Sequence, residues 1–477
     1  MDLKKITLYF IGVILLTGAT SCKDELGDIN QNPNEVENPQ PAYLLTGAIK
    51  TATDAYWNVN ESNPSNLFVQ YWSAIQYTEE DRYIFTRSSF QNLWTTLYTG
   101  SLVNLDKIIE ISEENKNFRG VAMVLRSWNY CLLTDVFGSI PYAQSINIGE
   151  YADPEYQTQE EVYEGLLNDL KTAQQLLDPN GESIQGDIIY QGDISLWKKF
   201  ANSLRLRIAL RIADKAPQKA QTALTNIEQN GNNYIGSNQE TAQLVYEDSP
   251  NDNPLYEQFL TRDDYRISKT IVDKLFELND PRLPIYAAPT QDSTDQVYVG
   301  IPNGLLAGDA SSLGFYKTSK PGEYFTQQHS PAIIMSYAEV LFDKAEAVER
   351  GFISGDASQL YKNAITASLN QYEISQTDIT AYLAQSSVKY NPNNYKKSIG
   401  VQKWIALFGQ GLEAFAEWRR LDYPQLQPAV AGVLNGKMPL RFLYPGTEQS
   451  LNAESYQDAI KQQGPDLLTT QLWFDAD

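Results

Sequence analysis

Residues 195–229 read SLWKKFANSLRLRIALRIADKAPQKAQTALTNIEQ, and this stretch decides the fold class. Leu204, Ile208 and Ile212 recur every four residues, a stripe that a helix brings to one face, and Leu206, Leu210 and Ala213 add further apolar positions. A second periodic stretch, 217–229, follows after only Asp214 to Ala216, so the two read as an antiparallel helical hairpin. The arrangement recurs at 331–350 and 356–373 across Gly351 to Gly355. Further helical patterns cover about 42–57, 90–112, 118–136, 158–177, 268–278 and 400–418. The predicted class is all-α, a tetratricopeptide-like scaffold of helical hairpins; a generic helical bundle fits the periodicity as well.

Three blocks, about 230–267, 279–330 and 424–470, lack such periodicity and are dense in Asn, Asp, Gly, Pro and Tyr. They are longer than ordinary connections and are expected to pack as long irregular ligand-binding loops with minor β structure, such as a strand at Val297–Ile301.

The chain has 477 residues, 37 Lys plus Arg, 59 Asp plus Glu, one His and two Cys, for a formal charge of −22. One histidine, His329, excludes multi-histidine metal centres, and two cysteines exclude Cys-rich clusters. The negative charge opposes nucleic acid as a partner. Rings are abundant, with 30 Tyr, 17 Phe and 8 Trp, which suits cores, protein interfaces and sugar faces alike. Arg205, Arg207 and Arg211 are read as ion-paired rather than as an anion site, because acids surround them in the sequence.

The first residues, MDLKKITLYFIGVILLTGATS, form an export signal: Lys4 and Lys5, an apolar run from about Ile6 to Leu16, then small residues before Cys22. Ala19-Thr20-Ser21-Cys22 looks like a bacterial lipobox, which makes Cys22 the lipidation site and leaves Cys131 as a core thiol. The expected organisation is a lipoprotein signal peptide at 1–21, lipidated Cys and tether at 22–41, and one domain at 42–477.

Five stretches belong together: FRGVAMVLRSWNYCLLTDVFGSIPYAQSI (118–146), ANSLRLRIALRIA (201–213), NDPRLP (279–284), MSYAEVLFDKAEAVERG (335–351) and VQKWIALFGQGLEAFAEWRRLDYP (401–424). With the lipoprotein start, Asn32-Pro33-Asn34 and the segment from Arg441 to Pro445, the chain resembles the SusD/RagB family of outer-membrane nutrient-binding lipoproteins, in its SusD-like branch. The Lys23-Asp24-Glu25 run after Cys22 resembles the surface-export signal of such lipoproteins. The resemblance implies a non-catalytic protein, lipid-anchored at the outer-membrane surface, that passes a glycan, or in some members a peptide, to a SusC-like TonB-dependent transporter. It implies no cofactor.

A site for an oligosaccharide combines exposed Trp or Tyr platforms with polar side chains. The candidates are Trp57, Tyr71, Trp72, Asp81 and Arg82 from the ring-rich segment 56–83, and Asp292, Tyr298 and Tyr316 from the loops that are expected to close over it. A purely structural surface-assembly protein would share the same scaffold. Enzyme function finds no support: no G-x-S-x-G elbow or phosphate-binding glycine loop is present, and Glu79-Glu80-Asp81, Glu160-Glu161 and Asp263-Asp264 read as solvated acids rather than a hydrolase pair. Oxygen ligands for structural calcium are plentiful, but no EF-hand spacing points to a site.

Overall fold

The computed structural model describes residues 39–146, 150–292 and 297–475, without the side chains of 59–63; Cys22, the signal and most of the tether lie outside the described residues. The main helices are α1 (Pro41–Trp57), α2 (Val59–Phe68), α3 (Val103–Ile111), α4 (Lys116–Phe137), α5 (Gln159–Leu176), α6 (Ile194–Arg211), α7 (Pro217–Gln229), α8 (Pro254–Thr261), α9 (Lys269–Glu277), α10 (Tyr337–Glu349), α11 (Ala357–Gln371), α12 (Tyr395–Ala406) and α13 (Gly411–Leu421). Strands are short: β1 (Trp72–Ala74), β2 (Ile140–Pro141), β3 (Tyr156–Gln157), β4 (Ala242–Leu244), β5 (Tyr265–Ile267) and β6 (Ala332–Met335). They pair antiparallel as β1–β5, β2–β3 and β4–β6.

The helices stack in sequence, α4 on α5, α5 on α6, α6 on α7 and α10 on α11, which is the hairpin scaffold expected from the sequence. Local chemistry sets their limits. Asn115 caps α4 by accepting from Asn117 N at 3.1 Å and Phe118 N at 3.2 Å, and Thr158 with Glu161 forms a capping box on α5. Gly138, with φ of 87°, ends α4. From Pro41 onward the chain packs as one compact unit.

Four expectations change. The pattern at 331–350 divides into β6 and α10, because Ile333 and Ile334 are β-branched and buried in a strand that pairs with β4 through Ala332, Ile333 and Met335. The pattern at 400–418 breaks at Leu407–Gln410, where Gly409 takes a φ of 89° and any Cβ would lie 2.8 Å from the Trp57 ring. Within 90–112 a π-helical segment, Thr96–Leu102, precedes α3. Val297–Ile301 is not a regular strand; only Ile301 bridges, to Ser268.

The scaffold is charged inside. Arg207 forks onto Glu339 at 2.6 and 2.9 Å, linking α6 to α10. Arg211 reaches Glu413 at 2.7 Å and also Glu417, linking α6 to α13. Arg420 donates to Glu346 and Glu417, each at 2.7 Å, and Lys403 of α12 bonds Glu417 at 2.6 Å and also Asp343. All of these side chains are buried, so their mutual pairing offsets a desolvation penalty of several kcal/mol per ion. Arg205 is buried too but pairs with the amide of Asn226 at 2.9 Å. Cys131 is a core thiol, and burial pushes it well above its ordinary range.

Candidate functional site

The two ring-rich segments do meet, but through a core rather than an open cavity. Trp57 is 2% exposed and stacks on Phe325, centroids 6.4 Å apart. Tyr71 is wholly buried, its hydroxyl bonded to the Trp404 carbonyl and its ring 5.1 Å from Phe408. Trp72 packs between Phe259 and Tyr265 at 6.3 and 6.0 Å. These rings are therefore corrected from ligand platforms to supports: their apolar area is already spent against the scaffold.

Asp81 is a support as well, although it lies in an acidic run. Its carboxylate accepts from Ser73 Oγ at 2.9 Å, Ala74 N at 3.1 Å, Asn303 Nδ2 at 2.7 Å and Gly304 N at 2.8 Å. It thereby staples the β1 segment to the loop at 301–304, and no oxygen faces water. Arg82 is half-buried and donates from Nε to Ala431 O at 3.1 Å, which ties it to the C-terminal block.

The exposed surface lies at the edge of the β1–β5 ribbon. Beyond the ladder, Ile75 N bonds Asp264 O at 2.8 Å, and then Tyr77 turns through a φ of 53°, leaving its ring 66% exposed. The Arg262 guanidinium stands 5.1 Å from that ring's centroid while Asp264 holds Arg262 and Gln76. On the other side of the segment, Arg266 lies 5.3 Å from the Phe315 ring and donates to Phe315 O at 3.1 Å. Next to Phe315, Tyr316 is 67% exposed, and its carbonyl accepts from Gln291 N at 2.9 Å and Asp292 N at 3.1 Å. Residues 262–266 thus link two exposed tyrosines, with half-buried Tyr265 between them.

Asp263 is fixed here by Arg266 Nη1 at 2.7 Å and Lys320 Nζ at 2.9 Å. Burial raises its carboxyl, but the hydrogen bonds from Arg266 and Lys320 outweigh that and hold it below its ordinary range. The Asp263-Asp264 pair is accordingly an ion-paired element of the site rather than a merely solvated run. Asp292 is exposed and Tyr298 half-buried, where burial raises its hydroxyl above the ordinary value. Among the predicted residues, Asp292 and Tyr316 share this surface. Arg262 and Tyr265 were missed, because only the β1–β5 pairing brings them to Tyr77.

The arrangement offers ring faces beside fixed donors and acceptors, suited to holding a polyhydroxylated ligand without reacting with it. His329 stands apart and exposed, Nε2 3.0 Å from Asp248. Among the described residues no group of three or more His, Cys, Asp or Glu side chains is placed to hold a metal ion.

The SusD-like family model, described as starch-binding and associating with the outer membrane, matches residues 33–445. Among solved structures, a chitin-binding protein superposes with a TM-score of 0.83 at 28% identity, covering 92% of this chain and 100% of its own. A chitin-binding SusD homologue from Flavobacterium johnsoniae gives 0.83 at 23% identity over 91% and 99% of the two chains. A SusD homologue from Bacteroides thetaiotaomicron gives 0.81 at 22% over 92% and 100%, and these two share the fold. No curated protein matches the chain. The family model spans most of the sequence and the fold agrees along its length: the chain belongs to the SusD-like family of outer-membrane nutrient-binding proteins, which are not enzymes.

Proposed function

We propose that this protein is a cell-surface lipoprotein, anchored through Cys22, that captures an oligosaccharide on the face between Tyr77 and Tyr316 and delivers it to a SusC-like TonB-dependent transporter. The observation that carries the reading is the pair of tyrosines, 66% and 67% exposed, on either side of a segment whose charged groups are already fixed by one another. Rings this exposed are available to stack on a sugar, and a prefixed polar segment loses little freedom when a ligand arrives. The likeness to a chitin-binding protein at 28% identity supports a glycan. The export signal and lipobox support the anchor. Among the described residues no helix is long and apolar enough to cross a membrane.

Calorimetry with chito-oligosaccharides and malto-oligosaccharides tests the reading. Tyr77→Ala and Tyr316→Ala should each weaken the bound sugar about fivefold, roughly 1 kcal/mol, with the melting temperature unchanged. Unaltered affinity in the double variant rejects the face, and binding of peptides with no sugar bound rejects the ligand class.

A further inference from the structure

Helix α8 leads directly into Arg262, the residue against Tyr77. Pro254, Glu257, Gln258 and Thr261 are spaced by three and four and share one side of the helix, and Arg262 follows in extended backbone at its C-terminal end. The other side is turned inward, with Leu255 buried and Phe259 on Trp72. The first half of the outer side walls an open cleft of 360 Å³, lined also by Lys50 and Asp54 of α1 and by Asn58 just after it. That volume is in the range of small-ligand sites.

The polar groups of the cleft are positioned from behind. Tyr246 donates to Asp54 Oδ1 at 2.9 Å, and Lys50 holds the other oxygen at 2.5 Å. Gln328 donates to Asp252 Oδ1 at 3.1 Å, and Asn253 caps α8 by accepting from Leu255 N at 2.7 Å. The eight residues of α8 run about 12 Å at 1.5 Å per residue, longer than one sugar ring.

We propose that the recognition face continues along the outer side of α8 into this cleft, which takes further units of a neutral oligosaccharide through their hydroxyl groups. The inference rests on the oligosaccharide reading of the Tyr77–Tyr316 face. Three carboxylates, Asp54, Asp252 and Glu257, accept from hydroxyls, while Lys50 and the Gln258 amide supply donors. A hydrogen bond with Asp252, which favours the protonated form, raises the Glu257 carboxyl. An acidic sugar would meet those carboxylates as like charges and is excluded.

The test is calorimetry on the intact protein with a series from trimer to heptamer of chito-oligosaccharides and malto-oligosaccharides. Affinity should rise with length, and Glu257→Ala at an exposed position and Gln258→Ala at a half-buried one should reduce the ratio of heptamer to trimer affinity by about fivefold. Tyr77→Ala should weaken trimer and heptamer alike. A ratio unchanged in the cleft variants, with Tyr77→Ala still harmful, overturns the cleft and leaves the primary face standing. Heptamers of galacturonate binding as tightly as neutral heptamers overturn the ligand class. Absence of binding by every oligosaccharide overturns the primary face and the cleft together.

Discussion

At Asp81 a buried carboxylate accepts from two segments far apart in the chain. Removing it leaves the N–H groups of Ala74 and Gly304 and the Asn303 amide without that acceptor in a dry site, and each orphan costs about 1–3 kcal/mol. Asp81→Ala is expected to destabilise the protein by roughly 3 kcal/mol or more, read as a lower urea midpoint. Asp292→Ala, at an exposed position, should stay within about 0.5 kcal/mol of the parent in the same assay. Composition located the ring-rich stretches but not their direction. Trp57, Tyr71 and Trp72 have the same chemistry as Tyr77, and burial is decided by contacts with Phe325, Trp404 and Phe259 from other parts of the chain. Tyr77 escapes the core through a left-handed backbone angle that no residue type near it announces.

At the scale of elements, α10 and α13 carry acids into the interior, and these titrate in opposite directions. Burial, with repulsion from Glu413 and Asp343, pushes Glu339 up to about 7 from an ordinary 4.5, against the attraction of Arg207. Burial likewise pushes Asp343 up to about 6. Between the ordinary range and those values the folded chain holds protons that the unfolded chain has released, so stability falls as pH rises through that window. Glu417 behaves oppositely: burial raises it, but Arg420, Lys403 and Arg211 hold it well below 4.5, so its contribution is lost as pH drops below that value. Thermal unfolding should therefore show highest stability in mildly acidic solution, near pH 5 rather than 8 or 3, and Glu339→Gln should flatten the alkaline limb. That Arg207 and Arg211 would be ion-paired was legible, but not their partners, since Glu339, Glu413 and Glu417 lie far along the chain rather than among the neighbouring acids; the long helices were legible from their apolar spacing. Less legible were α8, an eight-residue helix inside a block rich in Asn, Asp and Pro, and the helices at 446–451 and 453–463, whose polar sequences depend on packing. The gap between α12 and α13 was hidden too, because an apolar stripe continues through Gly409.

At the scale of the whole molecule, the proposed attachment through Cys22 can be tested by where the protein sediments. Cys22→Ala is expected to move the protein from the membrane pellet to the soluble fraction after cell fractionation while leaving sugar affinity in solution unchanged, since the binding face lies beyond Pro41. Retention in the pellet would point to an attachment other than the acyl chains. The hairpin scaffold could be foreseen as a class because each helix pair is a local unit. The proposed recognition face could not, because it joins 72–77, 254–266 and 290–320 through strand pairs and single buried groups.

The frame and the face are therefore secured by different bonds. Arg207, Arg211, Lys403 and Arg420 clamp helices to one another, while Asp81 and the β1–β5 ladder position the loops. Lineages can consequently exchange the outer residues of α8 or the tip around Tyr316 without disturbing the helical clamp. Divergence to 22% identity with the architecture retained is what such a separation permits: loop tips can change while the fold stays.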